Sequence, residues 1–283
     1  MILIADGGST KVDWIVLNKN KEELYRVKSL GLNPDILLKE ELLIRINNIP
    51  QLINIKNQVD EIHFYGAGCG SPQSAFFLNH LLQTVFTNAK ISISEDMLAA
   101  VYACSPKKPA IVAILGTGSN SCYYNGDIIQ KTFPSLGYTL MDEASGNYFG
   151  KKLLRDFYYE KMPANLSMLF KIEFNLNIDV VKSNLYSKPS PNMYLATFAK
   201  FMFNHKEDKY IKKLIQKGFQ KYFKFQILPH HKNTETPIYF IGSIAYYFKD
   251  ILKKVATKNN LTITDIIQRP IDKLVEFHQK NTL

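Results

Sequence analysis

Two short runs of the sequence combine the residue types that hold phosphate. The first is Asp6-Gly7-Gly8-Ser9-Thr10-Lys11, directly after an apolar run at residues 1–5. The second is Gly116-Thr117-Gly118-Ser119-Asn120, directly after Ala110–Leu115 and about 110 residues further on. Glycine adds no side chain, so backbone N–H groups can approach an anion closely, and the hydroxyls add further donors. Gly8, Ser9 and Thr10 are expected on the phosphates, as are Gly116, Thr117 and Gly118. Lys11 either neutralises charge there or faces solvent. A carboxylate beside a phosphate turn is unfavourable unless a cation lies between, so Asp6 implies Mg²⁺. Each run alone also reads as a plain hairpin turn, common for Asp-Gly. The pair, in matching contexts, suggests a nucleotide clamped between two similar domains.

Three further places carry candidate chemistry. Ser94-Glu95-Asp96 lies where a strand gives way to a helix. A helix N-terminus favours an ionised carboxylate, which suits Asp96 to accept a hydroxyl proton; a helix cap is the plainer alternative. Asp142-Glu143-Ala144-Ser145-Gly146 is an acidic cluster before a helix, able to bind sugar hydroxyls or metal-bound water, or simply to cap. Gly242-Ser243 stands between a buried strand and a helix, and its small residues would admit an adenosine. Cys69, Cys104 and Cys122 lack CxxC spacing, so neither a metal site nor a disulfide framework is expected.

The elements that must position these residues alternate between strand and helix. Strands are expected at 2–5, 12–17 and 22–29, the first two as a hairpin. A loop is expected at Gly31-Leu32-Asn33-Pro34, because the residue before proline is pushed out of helix. A helix is expected over 35–48, a strand over 60–65 running into Gly66-Ala67-Gly68-Cys69-Gly70, a helix over 72–87, a strand at 90–94 and a helix over 95–104. Ser105-Pro106-Lys107-Lys108-Pro109 reads as a linker. The opening order then repeats: strand 110–115, glycine turn, strand 119–124, strand 127–132. A helix begins near 147, and 150–232 is mostly helical by periodicity. A strand at 237–241, a helix over 243–259 and a last helix over 264–279, interrupted at Pro270, complete the chain. This is an α/β pattern of two similar domains, 1–106 and 107–263, with the helical stretch inserted in the second and the last helix returning to the first. Ligands in such folds collect at the carboxyl ends of strands, where all three glycine turns lie.

The 283 residues suffice for two cores, and 46% hydrophobic with 21% charged residues is a globular balance. The longest apolar runs fall far short of the roughly 18 residues that cross a bilayer. The first apolar run ends at Asp6 with no basic segment before it, so it reads as a strand and not a signal peptide, and a cytoplasmic location is expected. The net charge of +10 raises nucleic acid as a partner. The lysines are spread along the chain, however, and the dense stretch at 206–224 carries apolar residues at helical spacing, so a solvated helix face is expected instead.

Taken in order, these motifs resemble the actin-like ATPase superfamily of sugar kinases, Hsp70 and actin. More closely they resemble the BadF/BadG/BcrA/BcrD-type ATPases, and within them the N-acetylglucosamine kinase group. The resemblance covers the chain nearly end to end, loosely over 150–232. It implies two ribonuclease H-like domains with an interdomain cleft. ADGGSTKVDW is similar to the first phosphate motif, with Asp6 serving Mg²⁺. SEDMLAA resembles the helix bearing the catalytic aspartate, which makes Asp96 the base. ILGTGSNS is similar to the second phosphate motif, and its Asn120 matches an asparagine on the sugar. GLNP resembles the loop whose asparagine, here Asn33, reaches the sugar. LGYTLMDEASG is similar to a GWG-then-DEGS stretch, with Asp142 on sugar hydroxyls and Gly146 at the acetamido pocket. GSIAYYF resembles the adenosine motif and sets Gly242 and Ser243 near the nucleotide. Gly68 and Thr117 join the candidate sugar contacts. Leu136 stands where the motif has tryptophan and Ala144 where it has glycine.

The function so implied is ATP-dependent phosphorylation of an N-acetylated amino sugar, with ATP and Mg²⁺ as cofactors. The partner is a small amino sugar, with no nucleic acid and no membrane, and a homodimer is compatible with this reading. Two alternatives stand beside it. One is the activator ATPase of a 2-hydroxyacyl-CoA dehydratase type system, which needs an iron–sulfur cluster, and Cys104 and Cys122 are not placed in that family's cluster motif. The other is a sugar sensor, usually fused to a helix-turn-helix, for which a first strand at residue 2 leaves no room.

Overall fold

The structure, a computed structural model, describes residues 1–231 and 235–280. It divides into two compact units, Met1–Pro106 together with the segment from Pro270 onward, and Lys107–Arg269.

In the first unit, β1 (Ile2–Gly7) and β2 (Lys11–Leu17) form an antiparallel hairpin continued by β3 (Glu23–Leu30). The helices α1 (Lys39–Asn47) and α2 (Pro50–Ile53) lead to β4 (Glu61–Gly66), then α3 (Pro72–Val85), β5 (Lys90–Glu95) and α4 (Asp96–Cys104). The sheet order is β3-β2-β1-β4-β5, with β1, β4 and β5 parallel. Strand alternation sends Leu3, Ala5, Val12, Trp14 and Val16 to one face, where Leu42, Ile46, Leu78 and Leu82 of α1 and α3 cover them. Ile4, Ile15 and Leu17 point to the other face.

The second unit repeats this plan. After Pro109 come β6 (Ala110–Leu115), β7 (Ser119–Tyr124) and the two-residue β8 (Ile129–Gln130), all antiparallel. Next are α5 (Gly137–Leu140), α6 (Gly146–Tyr158), α7 (Ala164–Glu173), α8 (Ile178–Tyr186), α9 (Pro191–Thr197), α10 (Ala199–Asn204) and α11 (Lys209–Tyr222). The chain then forms β9 (Ile238–Ile241), α12 (Ser243–Tyr247), α13 (Lys249–Lys258) and β10 (Asp265–Ile267). The order β8-β7-β6-β9-β10 matches β3-β2-β1-β4-β5 position for position. The aromatic core, including Phe149, Phe219, Phe223 and Phe240, lies between this sheet and its helices. The last helix, α14 (Ile271–Lys280), packs Ile271, Leu274 and Val275 on Ile4, Ile15, Leu17 and Ala99 of the first unit. Among the described residues, no helix is long and apolar enough to cross a membrane.

Four expectations need correction. The helix expected from residue 35 begins at Lys39, because Asn33 holds Asp35, Ile36 and Leu37 in a turn through its side chain and carbonyl. The strand expected over 127–132 shrinks to Ile129–Gln130, since the Asn125 side chain takes the Asp127 and Ile128 N–H groups into an Asx turn. The helix expected over 243–259 breaks at Phe248, whose ring is buried beside Phe203. The expected last helix is a strand at its start: residues 265–267 pair with β9, and only after Pro270 does helix begin. The helical stretch reaches His230 with a π turn at Phe223–Ile227; its last expected residue, Lys232, lies outside the described residues, as do residues 281–283.

Candidate active site

In the first unit the candidate residues gather at one end of the sheet. Gly7, Gly66 and Glu95 end β1, β4 and β5 level with one another in the parallel register. Three connections therefore share one edge: the turn from Gly8, the glycine loop at 66–70 and the start of α4. The Gly8 N–H donates to the Lys11 carbonyl at 2.8 Å and closes the first turn. The GLNP loop lies on that turn, with the Gly31 N–H donating to the Thr10 carbonyl at 3.0 Å. The buried Asn33 amide donates to the Ser9 hydroxyl at 3.1 Å. Gly68 meets the same asparagine: its φ is +79°, and a Cβ there would sit 2.0 Å from Asn33 Oδ1. Arg45, mostly buried, braces the arrangement by donating to the Gly31 carbonyl at 2.7 Å while paired with Glu41 at 2.6 Å. Asp6, Ser9, Asn33 and Gly68 are thus brought together, and Asp96 opens α4 beside them.

The electrostatics of this edge come from its acids. Asp6 is half-buried, and its carboxyl is pushed up to about 7. Loss of water is the main cause; the charges of Asp96 and then Asp13 add to it, and Lys11 opposes it. The same carboxylate of Asp96, with that of Asp35, also pushes up the buried Cys69 thiol, whose main cause is burial. Lys11 does not stand free on the turn. Its ammonium donates to Asp13 at 2.8 Å. Asp13 sits directly across the hairpin from Asp6 in the β1–β2 register. Motif reasoning misses it, although pairing the strands outward from the 8–11 turn puts 6 opposite 13.

A carboxylate held that close to other acids at a strand end is suited to a cation. Among the described residues no group of three or more His, Cys, Asp or Glu forms a metal cage. Asp6 is the residue on this edge that would hold Mg²⁺, an ion for which one or two protein carboxylates suffice.

In the second unit the turn after β6 is tied to the loop before α6. The Gly116 N–H donates to the Gly118 carbonyl at 2.9 Å. Gly146 N–H donates to the Gly116 carbonyl at 2.8 Å and Asn147 N–H to the Thr117 carbonyl at 3.0 Å. Asp142 is the knot. It is 7% exposed and accepts from the Ser119 N–H at 3.1 Å and from the Asn147 amide at 2.7 Å. Burial pushes its carboxyl up, and these two bonds pull it back. The fully buried Ser145 caps α6 and donates to Asn147 Oδ1 at 2.9 Å. Motif reasoning also misses Ser145 and Asn147 as site residues; a serine one residue ahead of a helical run is the signal that offers the first of them. Asn120 is one residue further along β7, with its side chain accepting from the Ser121 N–H and its carbonyl from the Tyr222 hydroxyl. Gly242, at φ +114°, backs onto the same turn: a Cβ there would lie 2.3 Å from the Leu115 carbonyl oxygen. Gly116, Thr117, Gly118, Asp142, Gly146 and Gly242 thus form one assembly, and Ser243 begins α12 beside it.

Comparison with solved structures decides the family. A proposed N-acetylglucosamine kinase from Porphyromonas gingivalis superposes with a TM-score of 0.91 at 32% identity, each chain covered over 100% of its length. The chain belongs to that family of sugar kinases. A proposed N-acetylglucosamine kinase from Chromobacterium violaceum matches with a TM-score of 0.73 at 13% identity over 98% of both chains. A ROK family glucokinase from Streptomyces griseus, solved with glucose and AMPPNP, matches with a TM-score of 0.57 at 10% identity over 97% of both. These last two speak for the fold alone, the two-domain actin-like ATPase fold of sugar kinases. No family model and no curated protein matches the sequence.

Proposed function

We propose that this kinase transfers the γ-phosphoryl group of ATP to a hydroxyl of an N-acetylated amino sugar. The observation that carries the reading is the pairing of Asp96 with Asp6 at one sheet edge, an acid at a helix start next to an acid suited to a cation. On this reading Asp96 takes the proton of the attacking hydroxyl as that oxygen bonds to the γ-phosphorus, and ADP leaves. Gly8, Ser9 and Thr10 hold phosphate oxygens from one turn and Gly116, Thr117 and Gly118 from the other, with Gly242 and Ser243 at the adenosine. Lys11 contributes through the field of its ion pair with Asp13. Asp6 would hold Mg²⁺, which would supply positive charge against the phosphates. Asn33, Gly68, Asn120, Asp142 and Gly146 line the sugar side, and the 32% identity to a proposed N-acetylglucosamine kinase supports that substrate class. The same reading puts the chain among the BadF/BadG/BcrA/BcrD-type ATPases and in the cytoplasm.

The test is turnover of the full chain with ATP, Mg²⁺ and either N-acetylglucosamine or N-acetylmannosamine. Asp96→Asn is expected to lower kcat by roughly 10²–10⁴-fold with nucleotide affinity little changed. Equal turnover by the variant removes Asp96 from its role. Phosphorylation of glucose in preference to both amino sugars overturns the substrate class.

A further inference from the structure

The dense lysine stretch that the catalytic reading leaves unused folds into one wall of a groove. The groove has a volume of about 740 Å³ and runs between α11 and α13 of the second unit. Lys206 and Lys212 line one side; Lys253, Lys254 and Lys258 line the other. The floor is apolar: buried Phe248, half-buried Ile251 and the ring of Tyr247. Two carboxylates, Glu207 and Asp250, also border it. Glu207 is engaged by Lys212 at 2.7 Å and by the charge of Lys206. Among the described residues, Lys253, Lys254 and Lys258 have no ion pair. None of the lining residues belongs to the phosphate turns or the proposed sugar contacts.

We propose that this groove binds a small organic polyphosphate, a molecule of nucleotide size with several phosphate groups and a flat apolar body. The size suits such a ligand, since small-molecule sites span roughly 300–1,000 Å³. Lysine ammoniums serve phosphate as movable point charges. Lys254 and Lys258 are one helical turn apart, so both heads reach the same stretch of ligand. The apolar floor gives the rest of the molecule a surface that a bare polyanion would not need. A nucleic acid strand would want a track of charge extending beyond the groove. A compact ligand needs only the two facing walls. Occupancy would make the groove a second ligand site on the kinase, outside the reacting one.

The experiment is calorimetric titration of the full chain, first saturated with AMPPNP, Mg²⁺ and N-acetylglucosamine. The probes are cytidine 5′-triphosphate and inorganic tripolyphosphate. The expected result is one equivalent of the cytidine nucleotide bound at least threefold tighter than tripolyphosphate. The Lys254→Gln, Lys258→Gln double variant is expected to weaken it tenfold or more. A Lys39→Gln, Lys171→Gln control, with the same loss of charge elsewhere, is expected to change it less than twofold. All four lysines are exposed, and an unchanged thermal midpoint verifies that each variant folds. The proposal is overturned by no binding, by equal weakening in both double variants, or by tripolyphosphate binding as tightly as the nucleotide. Loss of binding on filling the catalytic site, with recovery when AMPPNP is withheld, assigns the probe to that site and overturns it equally.

Discussion

Asp142 has little of its carboxylate left for a ligand. Two of its roughly four acceptor positions are taken by the Ser119 N–H and the Asn147 amide, and only 7% of the residue is exposed. Its first duty is to hold the 116–119 turn against the start of α6. Asp142→Asn would set an amide N–H against one of those donors and leave a buried group unsatisfied. The expected cost is about 1–3 kcal/mol of stability in denaturant titration, together with a raised sugar KM. Unchanged stability with a raised KM would instead make it a pure sugar ligand. His278 makes the second residue-scale case. It is 5% exposed, shares a hydrogen bond with the Tyr65 hydroxyl at 2.9 Å, and lies with its ring tilted 35° to that of His63, centroids 4.5 Å apart. Burial, then the charges of His63 and Lys21, push it down to about 3. Folded His278 therefore stays neutral while the unfolded chain takes a proton near 6.5. The stability it contributes is complete above pH 6.5 and shrinks as pH falls toward 3. Between pH 7 and pH 4.5 the wild-type chain is expected to lose about 2–3 kcal/mol more than His278→Gln, read from urea midpoints at the two pH values. A parallel loss in both proteins would exclude His278 as the source. The places of Asp6, Asn33 and Gly116 at strand ends and turns were legible in the sequence, because a turn and a motif coincided there. Asp13 and Asn147 were not, because their roles exist only through a cross-strand neighbour or a side chain five positions back.

At the scale of elements, two contacts set the second half of the site. Gly146 and Gly150 lie one turn apart on α6, and α9 packs over both. Ala196 meets Gly146, and a Cβ on Gly150 would fall 1.7 Å from the Leu195 carbonyl oxygen. No side-chain adjustment relieves an overlap with backbone, so α6 and α9 must separate. Gly150→Ala is expected to cost about 1–3 kcal/mol and, because α6 begins at the 142–147 loop, to weaken sugar binding as well. Thermal unfolding and sugar titration read the two effects; a stable variant with normal sugar affinity would show that α9 does not hold the loop. Strands and their order were legible because apolar runs ended at glycine turns twice in the same sequence of events. Residues 265–267 escaped because three residues are too few for a period, and Ile266 and Ile267 fit helix or strand alike until β9 supplies a partner. The break at Phe248 escaped for a related reason: its ring packs beside Phe203, 45 residues earlier, a contact that no local pattern shows.

At the scale of the molecule, the first unit is closed by the far end of the chain. The sheet face carrying Ile4, Ile15 and Leu17 is covered by α4 and α14 together, and Ile271, Leu274 and Val275 are the residues α14 buries there. Arg26 ties to Asp272, and the Lys21 ammonium donates to the His278 carbonyl at 2.9 Å. Full burial of three such side chains is worth about 1.5–3 kcal/mol each, and their sum rivals the whole stability of an ordinary domain of about 5–15 kcal/mol. The second unit has its own sheet and core, and among the described residues none of α14 belongs to that core. Ending the chain at Arg269 is therefore expected to unfold or strongly loosen the first unit while leaving the second protected, a difference that hydrogen exchange resolves segment by segment. Amides of β1, β2 and β4 should exchange rapidly in the truncated chain, and those of β6, β7 and β9 should keep their protection. Equal loss in both sheets would mean that the two cores fold as one cooperative block. Retention in both would mean that α4 alone seals the face.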